Sequence, residues 1–359
     1  MSKIYIAGAH SRAQTLAVYL TSLYADISIE AFLVNNEEKN PVSVGKVPVI
    51  QFDEDSKLHV DYPVYIGTRG IYHEKLITEL GKCGFSDIFP VTAEMDLKLR
   101  NAYLEDYYAS IGREFLKIDK LPSCHSGAGS LQGTIYVARN IHDKELAQPW
   151  ELKNYEKEIQ AGAALADKYL AGGMLTDDTG DNISSRNRQY CELTVLYWIW
   201  KNAADDIVGL EHYRRHFILP EDWEGRMEMQ GIDVILPVPL YVAPSLEGNY
   251  KARHDPSDWE CMMGYLKMQD EALYCDAEKF FQGNLYSPCN MFIMRKSVLD
   301  DLCEWLFPII DMAAKQGGQK ADTYLNRYPG FLSERLMTYF FDRYRDKYKL
   351  AYADKNFLQ

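Results

Sequence analysis

Apolar and polar positions along the chain fall into short blocks whose period switches between strand and helix. "KIYIAG" is an apolar run, "AHSR" a turn, and "AQTLAVYLTSLY" a helical pattern. "ISIEAFLVNN" predicts a second strand, and "KVPVIQF" and "YPVYIG" two more. "IYHEKLITELGKCGF" reads as a helix closed by glycine, "SDIFPV" as a returning strand, and "KLRNAYLEDYYASIGREFLKI" as a further helix. Strands alternating with helices predict a doubly wound, parallel sheet. We expect a Rossmann-like N-terminal domain over residues 1–120. Gly8 stands at its first strand-to-helix turn, where a phosphate approaches a helix N-terminus in dinucleotide-binding folds. Only the first glycine of that fingerprint is present, and a tight turn accounts for it equally well.

Apolar periodicity is lost in "DKLPSCHSGAGSLQG", rich in Gly, Ser and Pro, which predicts a linker over residues 121–133. A second α/β domain, 134–359, begins at once with the strand "TIYVARN". "YEKEIQAGAALADKYLA" is expected to contain a helix, "GGMLTDDTGDNISSRN" to be a long polar loop, and "QYCELTVLYWIWKN" to be one aromatic-rich helix. "DIVGLEHYRR", "DVILPVPL" and "NMFIMRK" read as strands. "DPSDWECMMGYLKMQ" carries Pro and acid at a helix start, and "SVLDDLCEWLFPII" and "GFLSERLMTYFFDRYRDKY" are further helices.

Composition narrows the function classes. At 359 residues, two domains are expected. The net charge of −13 argues against a nucleic-acid partner, so any anionic ligand must meet a local cluster of cations. Seven cysteines without a C-x-x-C pair suit reduced thiols in a cytoplasmic protein. No apolar run reaches the about 18 residues of a membrane helix, which leaves peripheral association with the inner face of a membrane open. The 26 Tyr and 6 Trp serve a packed core or a site that stacks rings.

Four polar clusters interrupt the apolar elements: Asp177, Asp178, Asp181 and Asn182 around Gly180; "EHYRRH" over residues 211–216; Asn290 entering a strand; and Glu334 with Arg335 in the first turns of a helix. In an open α/β sheet, ligands bind beyond the carboxyl ends of strands, which is where Glu211 to His216 fall. Arg214 and Arg215 offer the planar fork that matches a diphosphate, although alternation turns them to opposite faces. An ion pair with Asp205, Asp206 or Glu221 is the structural alternative. Glu211, His212 and His216 form a potential metal set, but His-x-x-x-His shares a face on a helix and this context reads as strand-to-loop. Glu334 is either a base or an acid favoured at a helix start, and the Asp177–Asn182 loop either a contact to base, ribose or metal or a solvated turn.

"VGLEHYRRHF", with "DDTGDNISSRNRQYCELTVLYWIWKN" before it and "CNMFIMRK", "CEWLFPII" and "GFLSERL" after it, resembles the DUF 4422 family of bacterial capsular and exopolysaccharide clusters, over roughly residues 134–345. The resemblance implies a GT-A-like glycosyltransferase domain with a mostly parallel mixed sheet, a nucleotide-sugar donor, and a glycan or lipid-linked glycan acceptor. It places Glu211 and His212 where such enzymes carry Asp-x-Asp for Mn or Mg, Asn290 on the acceptor side, and Glu334 as base. Asp178, Asp181, Asn182, Arg214, Arg215 and Arg335 become substrate contacts. The departure from Asp-x-Asp leaves two routes: Glu211 holds a metal, or the arginines take over its charge. It also supports a rival reading, a non-catalytic nucleotide-sugar-binding or scaffolding subunit. Donor sugar, acceptor, linkage and oligomeric state are not encoded in these patterns.

Overall fold

The computed structural model describes residues 2–35, 39–123, 132–170 and 174–358. The chain divides into two compact units, Met1–Phe115 with Tyr241–Ala243, and Leu116–Leu240 with Pro244–Gln359. The central part of the expected linker, residues 124–131, lies outside the described residues, as does Cys124. The other six cysteines are free thiols.

The first unit runs β1 (Ser2–Ala7), α1 (Ser11–Leu23), β2 (Ile27–Val34), β3 (Ser43–Val44), β4 (Val47–Gln51), β5 (Val64–Ile66), α2 (His73–Lys82), β6 (Ile88–Pro90) and α3 (Ala93–Ser110). Its sheet has the order β3-β4-β2-β1-β5-β6 and is parallel except for the β3–β4 pair. The central strands are the buried ones, β1 from Ile4 to Ala7 and β2 from Ala31 to Val34, and Tyr5, Ala7, Leu33 and Ile66 pack with Leu76 and Leu80 of α2. Gly8 has φ +103°, donates its N–H to Leu33 O at 2.8 Å, and would place a Cβ 2.9 Å from Thr68 Cγ2. The turn therefore needs glycine on conformational grounds alone.

The second unit opens with β7 (Gly133–Arg139), β8 (Glu156–Gln160), β9 (Leu175–Thr176), α4 (Asn187–Tyr190), α5 (Leu193–Asn202), β10 (Ile207–His212), α6 (Trp223–Gln230) and β11 (Val234–Pro237). After β12 (Leu240–Tyr241) come α7 (Leu246–Lys251), α8 (Pro256–Gln269), α9 (Glu271–Phe281), β13 (Leu285–Tyr286), β14 (Phe292–Arg295), α10 (Lys296–Gly317), α11 (Tyr328–Arg343) and β15 (Leu350–Ala353). Its sheet has the order β15-β11-β14-β10-β7-β8-β9. β14 is antiparallel to both neighbours and the other pairs are parallel. Ile135, Ile207, Ile235, Ile293 and Ala351 build its core with Trp223 and Met227 of α6.

Three expectations for this unit are corrected. The helix expected within residues 155–171 is instead the strand β8, paired with β7 from Ile135↔Glu156 to Arg139↔Gln160. Helix-favouring Glu, Lys and Gln yield there to tertiary pairing. The single helix expected over residues 189–202 breaks at Cys191, whose φ of +50° separates α4 from α5. Finally, α11 begins at Tyr328, so Glu334 lies beyond its first turn. A helix-dipole account of that acid fails, because the effect is confined to the terminal turn.

Candidate active site

β10 sorts its end residues by alternation. Val208, Leu210 and His212 face one side of the sheet; Ile207, Gly209 and Glu211 face the other. A tight turn follows, in which Arg215 N–H donates to His212 O at 2.8 Å and His212 N–H to Arg215 O at 3.2 Å. The "EHYRRH" cluster is therefore divided between two environments.

On the His212 side, β10, the turn before β14 and α11 bring a cluster of polar groups together. His212 Nε2 lies 2.6 Å from Cys289 O, and since a carbonyl only accepts, Nε2 carries the proton. Burial, with Arg215 and Lys355 nearby, lowers the His212 pKa against the pull of Glu192 and of that bond. Cys289 N–H donates to Glu334 Oε1 at 2.8 Å, so a single residue ties the imidazole to the carboxylate. Cys289 and Asn290 hold φ of +77° and +50°, a left-handed pair that non-glycine residues adopt at a cost. Asn290 Nδ2 donates to Glu192 Oε1 at 2.8 Å and to Gly330 O at 3.0 Å, while its buried Oδ1 has no partner. Burial pushes the Glu334 pKa up to about 7; Arg335 opposes this and Glu192 adds to it. The Glu334 side chain retains 15% exposure.

The structure thus brings His212, Asn290, Glu334 and Arg215 together. It adds Glu192, Cys289 and Lys355, which sequence reasoning missed. The i+1 neighbour of Glu334 is turned about 100° around the helix. Arg335 accordingly is 2% exposed, donates to Phe331 O at 2.8 Å, and packs over the Tyr286 and Tyr250 rings. It meets Glu334 at 3.8 Å.

Neither Arg214 nor Arg215 makes an ion pair among the described residues. The Arg215 guanidinium lies 5.2 Å from the Phe357 ring centroid, and its charge lowers the Glu334 pKa. Arg214 lies over the Tyr213 ring at 5.1 Å and acts on Asp143.

The Asp178–Asn182 loop is bonded within itself, to Tyr169 and to α5. Asp178 accepts from Tyr169 Oη at 2.9 Å and Asp181 from Tyr197 Oη at 3.2 Å. Asn182 Nδ2 donates to Asp178 O at 3.0 Å and Gly180 O at 2.9 Å. Among the described residues, none of these bonds reaches the Glu334 group. Asp177 anchors the loop, its buried carboxylate accepting from the Gly162 and Ala163 N–H groups and from the Ser184 and Thr194 hydroxyls.

Glu211, on the opposite face, meets Glu156 of β8 and His216. The three side chains place one ligand atom each within 4.8 Å of one another, the spacing a metal ion requires. Every carboxylate oxygen, however, already accepts a bond. Glu211 takes Phe217 N–H at 2.6 Å and His216 Nδ1 at 3.1 Å. Glu156 takes Lys153 N–H at 2.8 Å, Trp150 Nε1 at 3.1 Å and the same Nδ1 at 3.1 Å. His216 Nε2 faces Tyr213 O at 3.4 Å, so both ring nitrogens point at acceptors and the ring suits an imidazolium. Mg and Mn prefer near-octahedral oxygen ligands, and Mg keeps several waters. A trio whose side chains are 1% exposed, under the stacked ring of Trp150 at 4.4 Å, does not fit them as arranged. Burial raises the Glu211 pKa to about 7; burial also opposes charge on His216, but its two carboxylates outweigh it and hold the imidazole at about 9.

The mixed seven-stranded sheet of the second unit, together with its likeness to a solved glycosyltransferase, makes this an α/β protein of the GT-A-like glycosyltransferase fold. The chain belongs to the family described as a domain of unknown function, DUF4422, whose model matches residues 135–345. Among solved structures it is similar to the apo WbbM bifunctional glycosyltransferase, at 26% identity and a TM-score of 0.54 over 64% of this chain. It spans 45% of that protein's chain. The Mn/GDP form of core-mannan synthase A from Aspergillus fumigatus matches at 15% identity and a TM-score of 0.29, over 68% of this chain and 79% of that one. No curated protein matches the chain. Among the described residues, no helix is long and apolar enough to cross a membrane.

Proposed function

We propose that the chain is a glycosyltransferase moving a sugar from a nucleotide-sugar donor to a glycan or lipid-linked glycan acceptor, in the assembly of a bacterial surface polysaccharide. The observation that carries this reading is Glu334: a carboxylate with a pKa of about 7, partly exposed beyond the end of β10, oriented by the Cys289 N–H. A general base works best when its pKa lies near the operating pH. In an inverting transfer, ionised Glu334 takes the acceptor hydroxyl's proton as the acceptor oxygen bonds to the anomeric carbon. The bond from that carbon to the diphosphate breaks, and its electron pair leaves on the diphosphate. His212 and Glu334 bond to the two backbone groups of one residue, Cys289, and His212 positions the carboxylate through it. Arg215 supplies positive charge where negative charge grows on the leaving group.

The test is turnover of a panel of nucleotide sugars by the purified chain, with and without acceptor glycans. Glu334→Gln should lower turnover about a hundredfold or more, as loss of a general base does, with an unchanged melting temperature. Full turnover in that variant would remove Glu334 from the chemistry. The closed carboxylates at the end of β10 favour the second reading, a nucleotide-sugar-binding or scaffolding subunit, which predicts donor binding without turnover.

A further inference from the structure

Beyond the residues matched by the family model, the segment Asp354–Leu358 runs antiparallel along Arg214–Ile218. Ile218 N–H donates to Asp354 O at 2.7 Å, Asn356 N–H to His216 O at 3.0 Å, and Leu358 N–H to Arg214 O at 2.8 Å. The Asn356 side chain closes the ladder by accepting from His216 N–H at 2.8 Å. The root of the segment is fixed by an ion pair between Asp354 and buried Lys117.

The Phe217↔Lys355 bridge sets the register, which places Arg215 opposite Phe357. Residues opposite one another in an antiparallel pair share a face, so Arg215, Phe357 and Lys355 lie on one side. The Arg215 guanidinium sits over the Phe357 ring, and the ring stays 59% exposed, more than core packing needs. Lys355 and Arg215 both act electrostatically on His212 and Cys289, on the same side of the ladder as Phe357. In a protein of net charge −13, and with the carboxylates at the end of β10 already bonded, these two cations add local positive charge beside Cys289, the residue bonded to Glu334.

We propose that the Asp354–Leu358 segment is part of the donor site: Arg215 and Lys355 together receive a nucleoside diphosphate, and Phe357 is the positioning residue that holds the guanidinium. This rests on the transferase reading above. The fork of Arg215 and the point charge of Lys355 are complementary donors for neighbouring phosphate oxygens.

The experiment is calorimetric titration of the full chain with uridine, guanosine and thymidine diphosphates, and with the matching nucleosides. Lys355→Met should weaken diphosphate binding about tenfold or more, the scale of a lost charge-assisted bond, and leave nucleoside binding unchanged. Phe357→Ala should weaken diphosphate binding severalfold and Phe357→Tyr restore it, because the ring and not its burial is what acts. Lys267→Met, on the exposed face of α8, is the control for net charge. If wild type binds a diphosphate and the Lys355 and Phe357 variants bind it equally, the segment has no part in the site. If wild type binds none of the three, the transferase reading fails and this assignment falls with it.

Discussion

Replacement of His216 by glutamine tests the buried Glu156–His216–Glu211 group independently of any substrate. The imidazole lies 3.1 Å from both carboxylates and its side chain is 1% exposed. Its pKa stands at about 9 against an ordinary 6.5, which corresponds to about 3 kcal/mol of stabilisation while the ring is charged. The folded pKa is the higher one, so this contribution is complete below pH 6.5 and disappears as pH rises through about 9. Glu211 acts in the same sense at lower pH, because its folded pKa of about 7 favours the neutral form that is lost on going from about 4.5 upward. Glu156 is held below its ordinary range, its bonds outweighing burial, and so contributes at neutral pH and fails in acid. Wild-type unfolding free energy should therefore fall by about 3 kcal/mol between pH 6.5 and 9. His216→Gln should flatten that slope and cost about 3–5 kcal/mol at pH 6, since buried, ionised Glu156 loses the charge beside it and Glu211 loses its bonding partner. All six tryptophans fall in the second unit, so tryptophan fluorescence in urea follows its unfolding, and Trp150 stacks on the ring itself. A variant with the wild-type slope, or one that loses less than about 1 kcal/mol at pH 6, would show that the imidazole is not charged in the fold.

Other consequences are equally direct. The acid limb of the kcat/KM profile should turn at about pH 7, the Glu334 pKa, with activity rising as the carboxylate ionises; a limb near pH 4.5 would mean that another group is the base. Asn290→Asp removes both Nδ2 donors and sets a carboxylate against Glu192; it should cost about 2–4 kcal/mol in urea unfolding, and a neutral result would contradict the bonding drawn here. Gly8→Ala must adopt φ near +103° and should lose about 1–3 kcal/mol by far-UV circular dichroism; an alanine that stabilises the fold would mean the turn is misdescribed.

What the sequence discloses depends on whether the determinant is local. The separation of Glu211 from His212 follows from strand alternation alone, and β10 and β14 are apolar runs that announce themselves. Glu192 is hidden because it sits inside a continuous aromatic helical pattern; the break beside it, which accompanies its bond to Asn290, is a left-handed Cys191, with neither Gly nor Pro to mark it. β8 is hidden for the opposite reason: Glu156, Lys157, Glu158 and Gln160 are good helix formers, and only pairing with β7 makes them a strand. Lys355 and Phe357 belong to no motif, and their meaning comes from residues 214–218, nearly 140 positions earlier, as the His216–Asn356 bond records. The link that matters most has no side-chain signature at all. His212 and Glu334 meet through the carbonyl and N–H of one residue, Cys289, and backbone groups carry no sequence code. Cys289 can aim both groups because it and Asn290 hold left-handed φ, and Asn290 is locked there by Glu192 and Gly330. The buried, strained turn before β14 is therefore what converts three separate polar clusters, each ambiguous as a sequence, into one bonded group with an oriented carboxylate.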